Sequence, residues 1–359
     1  MSSIKFGIVI GIIIAFLLIC SIDKDAMITK VYESGLLTSH VEITEDEFQR
    51  EFMSFIADYG KSYQDSVEFY RRYTIFKQNY QHIMNHNVDA DEHGFELGVN
   101  KFADISNEEF RSTHLGLNPP HRPSTSKYLK SRYMKKEKTF NDLPDKVDWR
   151  EEGVVNEPKD QGYCGSCWAF STIASVEGAV AIKTGKLYSL SEEQLVSCSK
   201  GYGNGGCSGG YMEYAFKYAE KYPLCTEDEY PYNGTDSYAC EHSKCSKGIK
   251  LKGFADLEEQ SREALYTGIS QQPVSIGVCA GNIAWQFYKK GVMKRFCGQC
   301  LDHGVVTVGY GNDAGDYIIV RNSWGKDWGE QGYLRISSKD TEGKGTCGIY
   351  QLPSVPFFG

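Results

Sequence analysis

The sequence predicts an α+β protein. A mainly helical N-terminal region precedes a larger domain of two subdomains, one helical and one a barrel-like antiparallel sheet, with a cleft between them. Three observations lead to this fold class. Residues 41–113 show helical periodicity, glycine, tyrosine and cysteine become frequent from Leu143 onward, and short strand-like runs appear only after about residue 270. Helical and β segments that are separated along one chain favour separate layers that meet at a cleft.

Size, composition and charge narrow the class of protein. The chain has 359 residues, of which 41% are apolar and 24% charged, a globular composition with enough length for one large or two ordinary domains. The formal net charge of −8 argues against a nucleic acid partner. The sequence contains no internal repeat and no nucleotide-binding glycine loop. It implies neither a metal nor an organic cofactor.

The first twenty residues predict a signal peptide. After Lys5 comes "FGIVIGIIIAFLLIC", fifteen apolar residues without a charge. This run is short for a bilayer span and typical of the apolar part of a signal sequence. We expect residues 1–20 to be cleaved off near Ser21, and a tilted membrane anchor is the alternative. The chain would then enter the secretory pathway, with a lysosome, a vacuole or the outside as its destination.

The distribution of cysteines fits this route. Of twelve cysteines, Cys20 lies in the predicted signal peptide, none lies between Cys20 and Cys164, and eleven follow. An oxidising compartment favours disulfides. An odd number leaves at least one thiol unpaired, and this leftover thiol is the first indication of a functional cysteine.

Two helices are predicted in the N-terminal region. In "TEDEFQREFMSFIADYG", four apolar side chains share one face, and the helix should end at Gly60. The next run, "EFYRRYTIFKQNYQHIMNHN", has a stripe at three- and four-residue steps that mixes charged, amide and apolar groups. Its members are Glu68, Arg72, Ile75, Phe76, Asn79, Ile83 and Asn87. Because a plain core face is apolar, this mixture predicts a helix docked on a partly polar surface.

Residues 118–142 are predicted to form an exposed linker. "NPPHRPSTS" interrupts regular structure, and "KYLKSRYMKKEK" carries six basic residues. Such a segment is easily cleaved.

The larger domain begins with helices and continues with strands. "CWAFSTIASVEGAVAIKTG" predicts a helix that ends at Gly185, and "SEEQLVSC" predicts a shorter one capped by Ser191. Strands are predicted in "QPVSIGV", "HGVVTVGYG", "DYIIVRNSWG" and "GYLRIS".

Two cysteines in "DQGYCGSCWAF" raise the question of chemistry. Cys164 and Cys167 are compatible with a redox dithiol, half of a zinc site, a structural disulfide, or a nucleophile beside a bridged neighbour. Cys167 lies in the first turn of the predicted helix, where unpaired N–H groups and the helix dipole favour the nucleophilic thiolate. His303 and Asn322, which lie 136 and 155 residues downstream, are the candidates for a base and the group that orients it.

These motifs resemble a known family. "QGYCGSCWAF", "LDHGVVTVGYG" and "RNSWGKDWGEQGY" resemble the three catalytic blocks of the papain-like cysteine proteases. The mixed helical stripe is similar to that family's propeptide motif. A second propeptide signature is matched in "GVNKFAD" by Gly98, Asn100, Phe102 and Asp104. The resemblance covers about residues 44–352.

The resemblance implies a domain organisation. Residues 21–142 would be a propeptide, with an inhibitory helical part at about 44–113 and a linker at 114–142. Residues 143–359 would be the mature papain-like peptidase domain. The helices would dock on the β subdomain, and the linker would run through the cleft and block Cys167. The propeptide would thus act as chaperone and intramolecular inhibitor.

The resemblance also implies catalytic roles. Cys167 would attack the peptide carbonyl, His303 would move the proton, Asn322 would hold His303, and Trp324 would shield that pair from water. Gln161 would donate its side-chain amide to the oxyanion, together with the backbone N–H of Cys167. The reaction would pass through a thioester acyl-enzyme that water hydrolyses.

Substrate choice is expected in an apolar pocket for P2, the second residue before the scissile bond. By resemblance this pocket is lined by Tyr211, Met212, Gly277, Leu301, Gly304 and Leu352. Leucine, phenylalanine or valine should be preferred, since a charged side chain would be desolvated without a partner. Gly209 and Gly210 would bind the substrate backbone, and Trp328 would line the leaving-group side.

The resemblance implies three disulfides: Cys164–Cys207, Cys198–Cys240 and Cys297–Cys347. Four further cysteines are extra to that common set, and with Cys167 free they allow two more pairs: Cys225–Cys245 and Cys279–Cys300. A zinc site that uses Cys297 and Cys300 is the alternative.

Three functions remain open: an endopeptidase, an exopeptidase variant, and a papain-fold binding or storage protein without catalysis. No insertion of occluding-loop size separates Cys198 from Cys207, which favours the endopeptidase. Expected partners are peptide and protein substrates, the propeptide itself and cystatin-like inhibitors, on a monomeric enzyme. Asn233 in "NGT" is a candidate glycosylation site.

Overall fold

The computed structural model describes residues 41–120, 140–236, 239–241, 243, 245, 248–340 and 343–358. The chain divides into two compact units, Met1–Thr44 and Glu45–Gly359. In the first unit only residues 41–44 are described, and they form neither helix nor strand. The predicted signal peptide and the basic run at 127–138 lie outside the described residues. Within the described part of the chain, no helix is both long and apolar enough to cross a membrane.

The N-terminal region, residues 45–120, is mainly helical, as predicted. Its elements are α1 (Glu45–Asp58), α2 (Ser66–Val88), α3 (Ala90–His93), the short strand β1 (Phe95–Leu97) and α4 (Asn107–His114). α1 ends just before Gly60, whose φ of 59° is the left-handed conformation that glycine supplies after a helix. α2 begins after Asp65, whose side chain accepts a hydrogen bond from the backbone N–H of Glu68 (2.9 Å).

The mixed stripe of α2 docks on the N-terminal region itself. The side-chain amide of Asn79 donates to the carbonyls of Ala103 (2.9 Å) and Ile105 (3.0 Å). Asn87 pairs with the backbone of Leu97 in both directions, at 2.8 and 2.9 Å. The predicted polar partner of the stripe is therefore the backbone of residues 97–105, which has carbonyls and an N–H that need partners.

Charged side chains complete this docking. Arg72 binds the Glu68 carboxylate (2.5 Å), the Asp104 carbonyl (3.0 Å) and Glu109 (3.0 Å). The Asp104 side chain, only 5% exposed, accepts from the Lys61 ammonium at 2.8 Å. These pairs link α2 to the chain around α4. The mixed stripe of α2 and the segment at 98–104 thus hold one another, through Arg72 and Asn79.

The C-terminal domain, residues 143–359, begins with helices. They are α5 (Cys167–Thr184), α6 (Glu192–Cys198) and α7 (Met212–Lys221). α5 is buried on all sides along most of its length, and it ends at Gly185 with φ 71°. α6 is capped by the Ser191 hydroxyl, which accepts from the Gln194 N–H (3.0 Å). Both predicted helix ends are therefore found.

The second half of the C-terminal domain is mainly β-structure. Its strands and helices are β2 (Val147–Asp148), β3 (Gly253–Asp256), α8 (Arg262–Ile269), β4 (Val274–Val278), α9 (Ile283–Gln286), β5 (Tyr288–Met293), β6 (His303–Gly311), β7 (Tyr317–Arg321), β8 (Tyr333–Ser337) and β9 (Gln351–Phe357). Each of the four predicted strand runs contains one of these strands. β6 is buried along its whole length, and α5 packs against it, with the Ser171 hydroxyl bound to the Val305 carbonyl (2.6 Å).

The sheet has the order β1-β5-β8-β7-β6-β4-β9-β3, and β2 pairs with β6. The expectation of a purely antiparallel sheet was wrong at one pair, since β5 and β8 are parallel. β1 comes from the N-terminal region and pairs antiparallel with β5, Phe95 opposite Gly291. The N-terminal region therefore forms the edge of the sheet of the C-terminal domain.

Five disulfides are present, and they join the pairs proposed above: Cys164–Cys207, Cys198–Cys240, Cys225–Cys245, Cys279–Cys300 and Cys297–Cys347. Cys167 is the free cysteine of the described chain, and it is buried. The first of these bridges holds the loop that leads into α5.

Candidate active site

Cys167 is the first residue of α5 and lies where α5 meets β6. Its sulfur accepts a hydrogen bond from the backbone N–H of Gly304 at 3.4 Å. Gly304 follows His303, the first residue of β6, so the helix start and the strand start bring the two predicted reactive side chains to one place.

His303 is held by Asn322. The His303 Nε2 lies 2.8 Å from the Asn322 Oδ1. Because an amide oxygen only accepts, Nε2 carries the proton in the neutral ring, and Nδ1 is left with no hydrogen-bond partner among the described residues. Trp324 stacks on the imidazole at 4.7 Å and is completely buried. Nδ1 is therefore the nitrogen that is able to take a proton, in a pair shielded from water.

Burial keeps both reactive groups neutral. It raises the pKa of the Cys167 thiol to about 12, although the N–H groups of Gly304 and Trp168 act in the opposite direction. Burial also lowers the pKa of His303 to about 4, against the effect of Asn322. The backbone N–H groups at the helix start thus act in the predicted direction, and in this state of the chain the desolvation of the buried thiol outweighs them. A thiolate in the mature enzyme stays a prediction.

Gln161 lies beside Cys167, with its side chain in use. Its Nε2 donates to the carbonyls of His114 (3.1 Å) and Cys164 (2.8 Å). Its Oε1 accepts from the Ser323 hydroxyl at 2.6 Å, which fixes which end of the amide points to the cleft. His114 belongs to the N-terminal region. That region therefore occupies the Gln161 amide, which was predicted to donate to the oxyanion.

Residues 115–118, the cleft segment, cross the site in an extended conformation. The N–H groups of Gly116 and Leu117 both lie 3.1 Å from the Asp302 carbonyl. On the other side, Gly210 donates to the Gly116 carbonyl (2.8 Å) and its own carbonyl accepts from Asn118 (2.9 Å). The segment runs parallel to the chain at Gly210, and it closes the space above Cys167.

Two glycines permit this close approach. A Cβ on Gly116 would lie 2.1 Å from the Gly165 carbonyl oxygen. A Cβ on Gly209, whose φ is 106°, would lie 2.3 Å from the side-chain nitrogen of Asn118. The predicted backbone-binding position Gly209 therefore needs glycine for both space and conformation.

Leu117 fills the predicted specificity pocket. From the Cβ position of Gly277, the side chains of Leu117, Leu301 and Leu352 lie at 3.0, 3.1 and 3.2 Å. Tyr211 and Met212 belong to the same buried cluster, and the Met212 sulfur lies 3.1 Å from the Cβ position of Gly304. The six predicted residues thus come together around a leucine side chain of the same chain.

Trp328 is completely buried in this state. It packs edge-on against Trp324 at 4.9 Å, and its Nε1 donates to the Trp285 carbonyl (3.1 Å). Its place on the leaving-group side of the cleft stays a prediction. The cleft side of Trp324 is covered by Phe102 and Phe110.

Sequence reasoning missed the residue on which the N-terminal region is anchored. Gln286, at the end of α9, accepts from Asn100 through its carbonyl (2.8 Å) and from Asn107 through its Oε1 (3.0 Å). Its Nε2 donates to the carbonyls of Phe102 (3.3 Å) and Ile105 (3.2 Å). Gln286 is completely buried. The signature around Asn100 signalled a contact, but no motif marks the glutamine that receives it.

The zinc alternative has no support in the geometry. Cys297 and Cys300 are both in disulfides. The one cluster of metal-ligand type in the described chain contains Cys279, Cys300 and Asp302, and its two sulfurs are bonded to one another. Asn233 is exposed, and its side chain accepts from the Thr235 N–H (3.0 Å).

A free cysteine at a helix start, a histidine bound to an asparagine, and a chain segment that covers both define a class, that of cysteine proteases made as inactive precursors. Family profiles agree. The profile "Papain family cysteine protease" matches residues 143–357, and "Cathepsin propeptide inhibitor domain (I29)" matches residues 52–110. The chain belongs to the papain family of cysteine proteases, and its N-terminal region carries the propeptide inhibitor domain of a zymogen.

Individual relatives are similar over most of the chain. The probable cysteine protease RDL2 of Arabidopsis thaliana is 41% identical over 322 residues, which covers 89% of this chain and 88% of the relative. Among solved structures, a recombinant stem bromelain precursor has a TM-score of 0.78 at 33% identity, covering 87% of this chain and 99% of that one. The digestive procathepsin L 3 of Tenebrio molitor has a TM-score of 0.76 at 38% identity, covering 86% and 99%.

Proposed function

We propose that this zymogen matures, in the secretory pathway or after it, into a cysteine endopeptidase that uses Cys167 as nucleophile and prefers bulky apolar residues at P2. One observation carries the proposal: the cleft segment lies over the free Cys167 with Leu117 in the apolar pocket, and the carbonyl of the residue that precedes the segment, His114, binds the Gln161 amide. Because the cleft segment occupies the proposed substrate groove, its side chains indicate which substrate residues the groove accepts.

The chemistry follows from the residues at the site. Removal of the cleft segment would return water to Cys167 and His303 and relieve the burial that holds both neutral. The thiol proton would move to His303 Nδ1, and the sulfur would attack the peptide carbonyl carbon. The Gln161 amide and the Cys167 N–H would donate to the oxyanion. The amine would then leave with the proton from His303, and water would hydrolyse the thioester.

The P2 preference is argued from Leu117. Its side chain is 3% exposed and its neighbours are Gly277, Leu301 and Leu352. None of the six pocket residues named above carries a charge, so an arginine or glutamate at P2 would lose hydration without a partner. Leucine, phenylalanine and valine are the expected P2 residues.

Two features would allow the cleft segment to inhibit without being cleaved: the direction in which its backbone runs, and its anchoring over the site. The cleft segment is anchored at both sides, at Asp302 and at Gly210. The His114 carbonyl accepts one hydrogen bond from the Gln161 amide. The residues that follow it, Gly116 and Leu117, run parallel to the chain at Gly210. A substrate that ran antiparallel would present the opposite order of donors and acceptors.

An endopeptidase is favoured over an exopeptidase because the cleft accepts continuous chain. The cleft segment enters from α4 and continues to Pro120 in the described residues, and polar backbone contacts occur along it rather than at a chain end. The exopeptidase alternative would be revealed by cleavage that depends on a free terminus.

Activation in acid is proposed to start in the N-terminal region. Charged contacts hold this region together: the Asp104 carboxylate binds Lys61 (2.8 Å) and Tyr63 (3.1 Å). The hydrogen bond from Arg72 lowers the pKa of Glu68, so that this ion pair holds at neutral pH and is lost as the pH falls. Cleavage in the linker at 114–142 would then leave a mature enzyme starting near Leu143.

Passage through the secretory pathway rests on three features. These are the predicted signal peptide, five disulfides in the C-terminal domain and an exposed Asn233 in a glycosylation sequon. Disulfides persist in oxidising compartments. A shift in gel mobility of the expressed chain after enzymatic deglycosylation, absent in Asn233→Gln, tests this part of the proposal.

The central experiment uses the full proenzyme at about pH 5 and at pH 7 with a mild thiol reductant. Its readout is hydrolysis of fluorogenic peptides with Phe, Leu or Arg at P2, beside Cys167→Ala. We expect activity to appear with loss of the N-terminal region, faster at pH 5, with Phe or Leu favoured and no activity in the variant.

Three outcomes would contradict parts of the proposal. Equal activation at both pH values would remove the acid mechanism. Preference for Arg at P2 would remove the pocket assignment. A processed, folded chain that cleaves no peptide would instead favour a papain-fold binding protein.

A further inference from the structure

The two proposed oxyanion donors stand at opposite ends of one short loop. The side chain of Gln161 is at the start of residues 161–166, and the backbone N–H of Cys167 follows their end. A pair of donors stabilises a developing oxyanion only when their positions are fixed before the reaction. The conformation of this loop therefore sets the geometry of the site.

A tyrosine from outside the loop ties its two ends together. The hydroxyl of Tyr232 lies 2.8 Å from the backbone carbonyl of Gln161 and 2.8 Å from the hydroxyl of Ser166. A carbonyl only accepts, so Tyr232 donates its proton to Gln161. With Tyr232 donating to Gln161, the Ser166 hydroxyl donates to Tyr232 at 2.8 Å, the nearer of its two acceptors, since the Cys164 carbonyl lies at 3.4 Å.

This arrangement has a consequence for α5. Ser166 occupies the cap position of the helix, yet its side chain makes no cap hydrogen bond, because its hydroxyl is directed to Tyr232. The first-turn N–H of Trp168 is left to interact with the Cys167 sulfur. Burial raises the pKa of that thiol, and this N–H acts in the opposite direction. A serine that capped the helix would compete with the sulfur for the same N–H groups.

Tyr232 is itself held in place. Its ring packs edge-on against Phe170 of α5 at 4.9 Å. Its backbone N–H donates to the Glu227 carboxylate (2.7 Å), which also binds the Lys159 ammonium (3.0 Å). The hydroxyl is thus delivered from a fixed ring, and not from a mobile surface side chain.

We propose that Tyr232 is a positioning residue of the oxyanion site: its hydroxyl holds Gln161 and Ser166 so that the two oxyanion donors keep their separation and α5 keeps its first-turn N–H groups for Cys167. The inference rests on the proposed function of Cys167 and Gln161. Tyr232 does not contact the reacting atoms; it acts through the loop. No sequence motif indicates this role, since Tyr232 is notable only as the neighbour of the Asn233 sequon.

Tyr232→Phe tests the proposal in the matured enzyme. This change keeps the ring on Phe170 and removes only the two hydrogen bonds. Loss of a whole oxyanion donor lowers kcat by about 10²–10³, so a misplaced donor should lower kcat by roughly tenfold, with KM changed less than about twofold. The affinity for a peptide aldehyde should fall by a similar factor, since its adduct with Cys167 carries an oxygen at the oxyanion position.

A matched control is Tyr266→Phe. Tyr266 of α8 is buried, whereas Tyr232 is half-buried, and the Tyr266 hydroxyl likewise pairs with a serine, Ser338, at 2.6 Å, away from the loop. Its loss should leave kcat and aldehyde affinity unchanged. If Tyr232→Phe prevents maturation, Ser166→Ala removes one of the same two bonds and is expected to lower kcat in the same direction.

A double-mutant cycle separates positioning from general loss of stability. In the Gln161→Ala background, Tyr232→Phe should change kcat less than about twofold, since the donor that it positions is gone. An equal loss in both backgrounds would overturn the inference. So would an active Tyr232→Phe enzyme with the kcat of the parent. A parent that neither cleaves peptides nor is alkylated at Cys167 would instead overturn the proposed function.

Discussion

The N-terminal region and the C-terminal domain are stabilised in different ways. The C-terminal domain has five disulfides and a long buried sheet. The N-terminal region contains no cysteine. It is held by an aromatic core around Phe52 and Phe76, whose rings are 5.1 Å apart, by the amides of α2, and by ion pairs near the surface. Proteolysis and acid can disrupt the noncovalent contacts of the N-terminal region, whereas the disulfides of the C-terminal domain resist both.

The same difference appears at the boundary between the two regions. The N-terminal region contributes β1, the contacts of Phe102 and Phe110 with Trp324, and the backbone bonds of the cleft segment, and none of these is covalent. Each of these contacts is individually weak. Under the proposed zymogen function, we expect the N-terminal region to dissociate once these contacts loosen.

The largest expected effect is at the cleft segment, where the two regions are closest. Gly116→Ala would put a methyl group 2.1 Å from the Gly165 carbonyl oxygen, and backbone cannot move aside as a side chain does. Overpacking of this kind costs about 3 kcal/mol, or roughly 150-fold in the docking equilibrium. We expect alkylation of Cys167 by iodoacetamide in the uncleaved proenzyme at pH 7 to accelerate accordingly.

Gly201→Ala is the control for this change, since nothing lies within 4 Å of its Cβ position. It should leave the alkylation rate as in the parent. An unchanged rate in Gly116→Ala as well would mean that the cleft segment does not control access to the thiol.

A smaller effect is expected inside the N-terminal region. Asn79→Ala removes the side-chain donor of the buried Ala103 carbonyl and leaves the Ile105 carbonyl with Gln286 as its side-chain donor, which costs about 1–3 kcal/mol. Limited trypsin digestion of Cys167→Ala proenzyme should degrade the N-terminal region faster and leave the C-terminal domain intact. Thr74→Ala, which removes an exposed hydroxyl from the same helix, should have little effect. Equal digestion of both variants would contradict the assignment.

The smallest predicted effect is a shift in pH. His86 is buried against His93 (rings 4.4 Å apart) and against Phe296 of the C-terminal domain (5.5 Å). Burial lowers its pKa to about 4, with His93, His82 and Arg295 contributing in the same direction and the Phe95 carbonyl opposing it. The undocked histidine has a pKa of about 6.5, so its contribution to docking is complete above that pH and is lost as the pH falls towards 4.

His86→Gln keeps a donor for the Phe95 carbonyl and cannot titrate. The pH midpoint of proenzyme activation should therefore move down, by less than about one unit because the carboxylates still titrate. Activation rates measured from pH 4 to pH 7 give the midpoint. A midpoint equal to that of the parent would show that His86 plays no part in acid release.

Much of the fold follows from local pattern. α2, α5 and β6 carry long periodic or continuous apolar signals, and both predicted C-terminal-domain helices end at the residues expected. β1 has only three residues and no periodicity, and the parallel pairing of β5 with β8 depends on how distant segments meet. Such features are decided by tertiary contacts that no window of sequence contains.

The residues of the site also divide into those that a motif predicts and those that only tertiary contacts place there. The side chains proposed to act directly, such as Cys167, His303 and Asn322, are recognisable from residue type and motif. The groups proposed to act through the backbone or at a distance are not recognisable in this way, and they include Gln286, the Asp302 carbonyl and Tyr232. The raised pKa of Cys167 was also unpredictable from its helix position, because it is caused by burial, which depends on the tertiary structure.

The pairing of β1 with β5 has one more consequence, for solubility. Once the N-terminal region is gone, β5 becomes an open edge of a large sheet, and open edges are templates for strand addition and aggregation. β5 reads "YKKGVM", and its two lysines, Lys289 and Lys290, are already exposed. Two copies that approached edge to edge would bring these charges together. The strand that holds the inhibitor in place is therefore also protected against self-association in the mature enzyme.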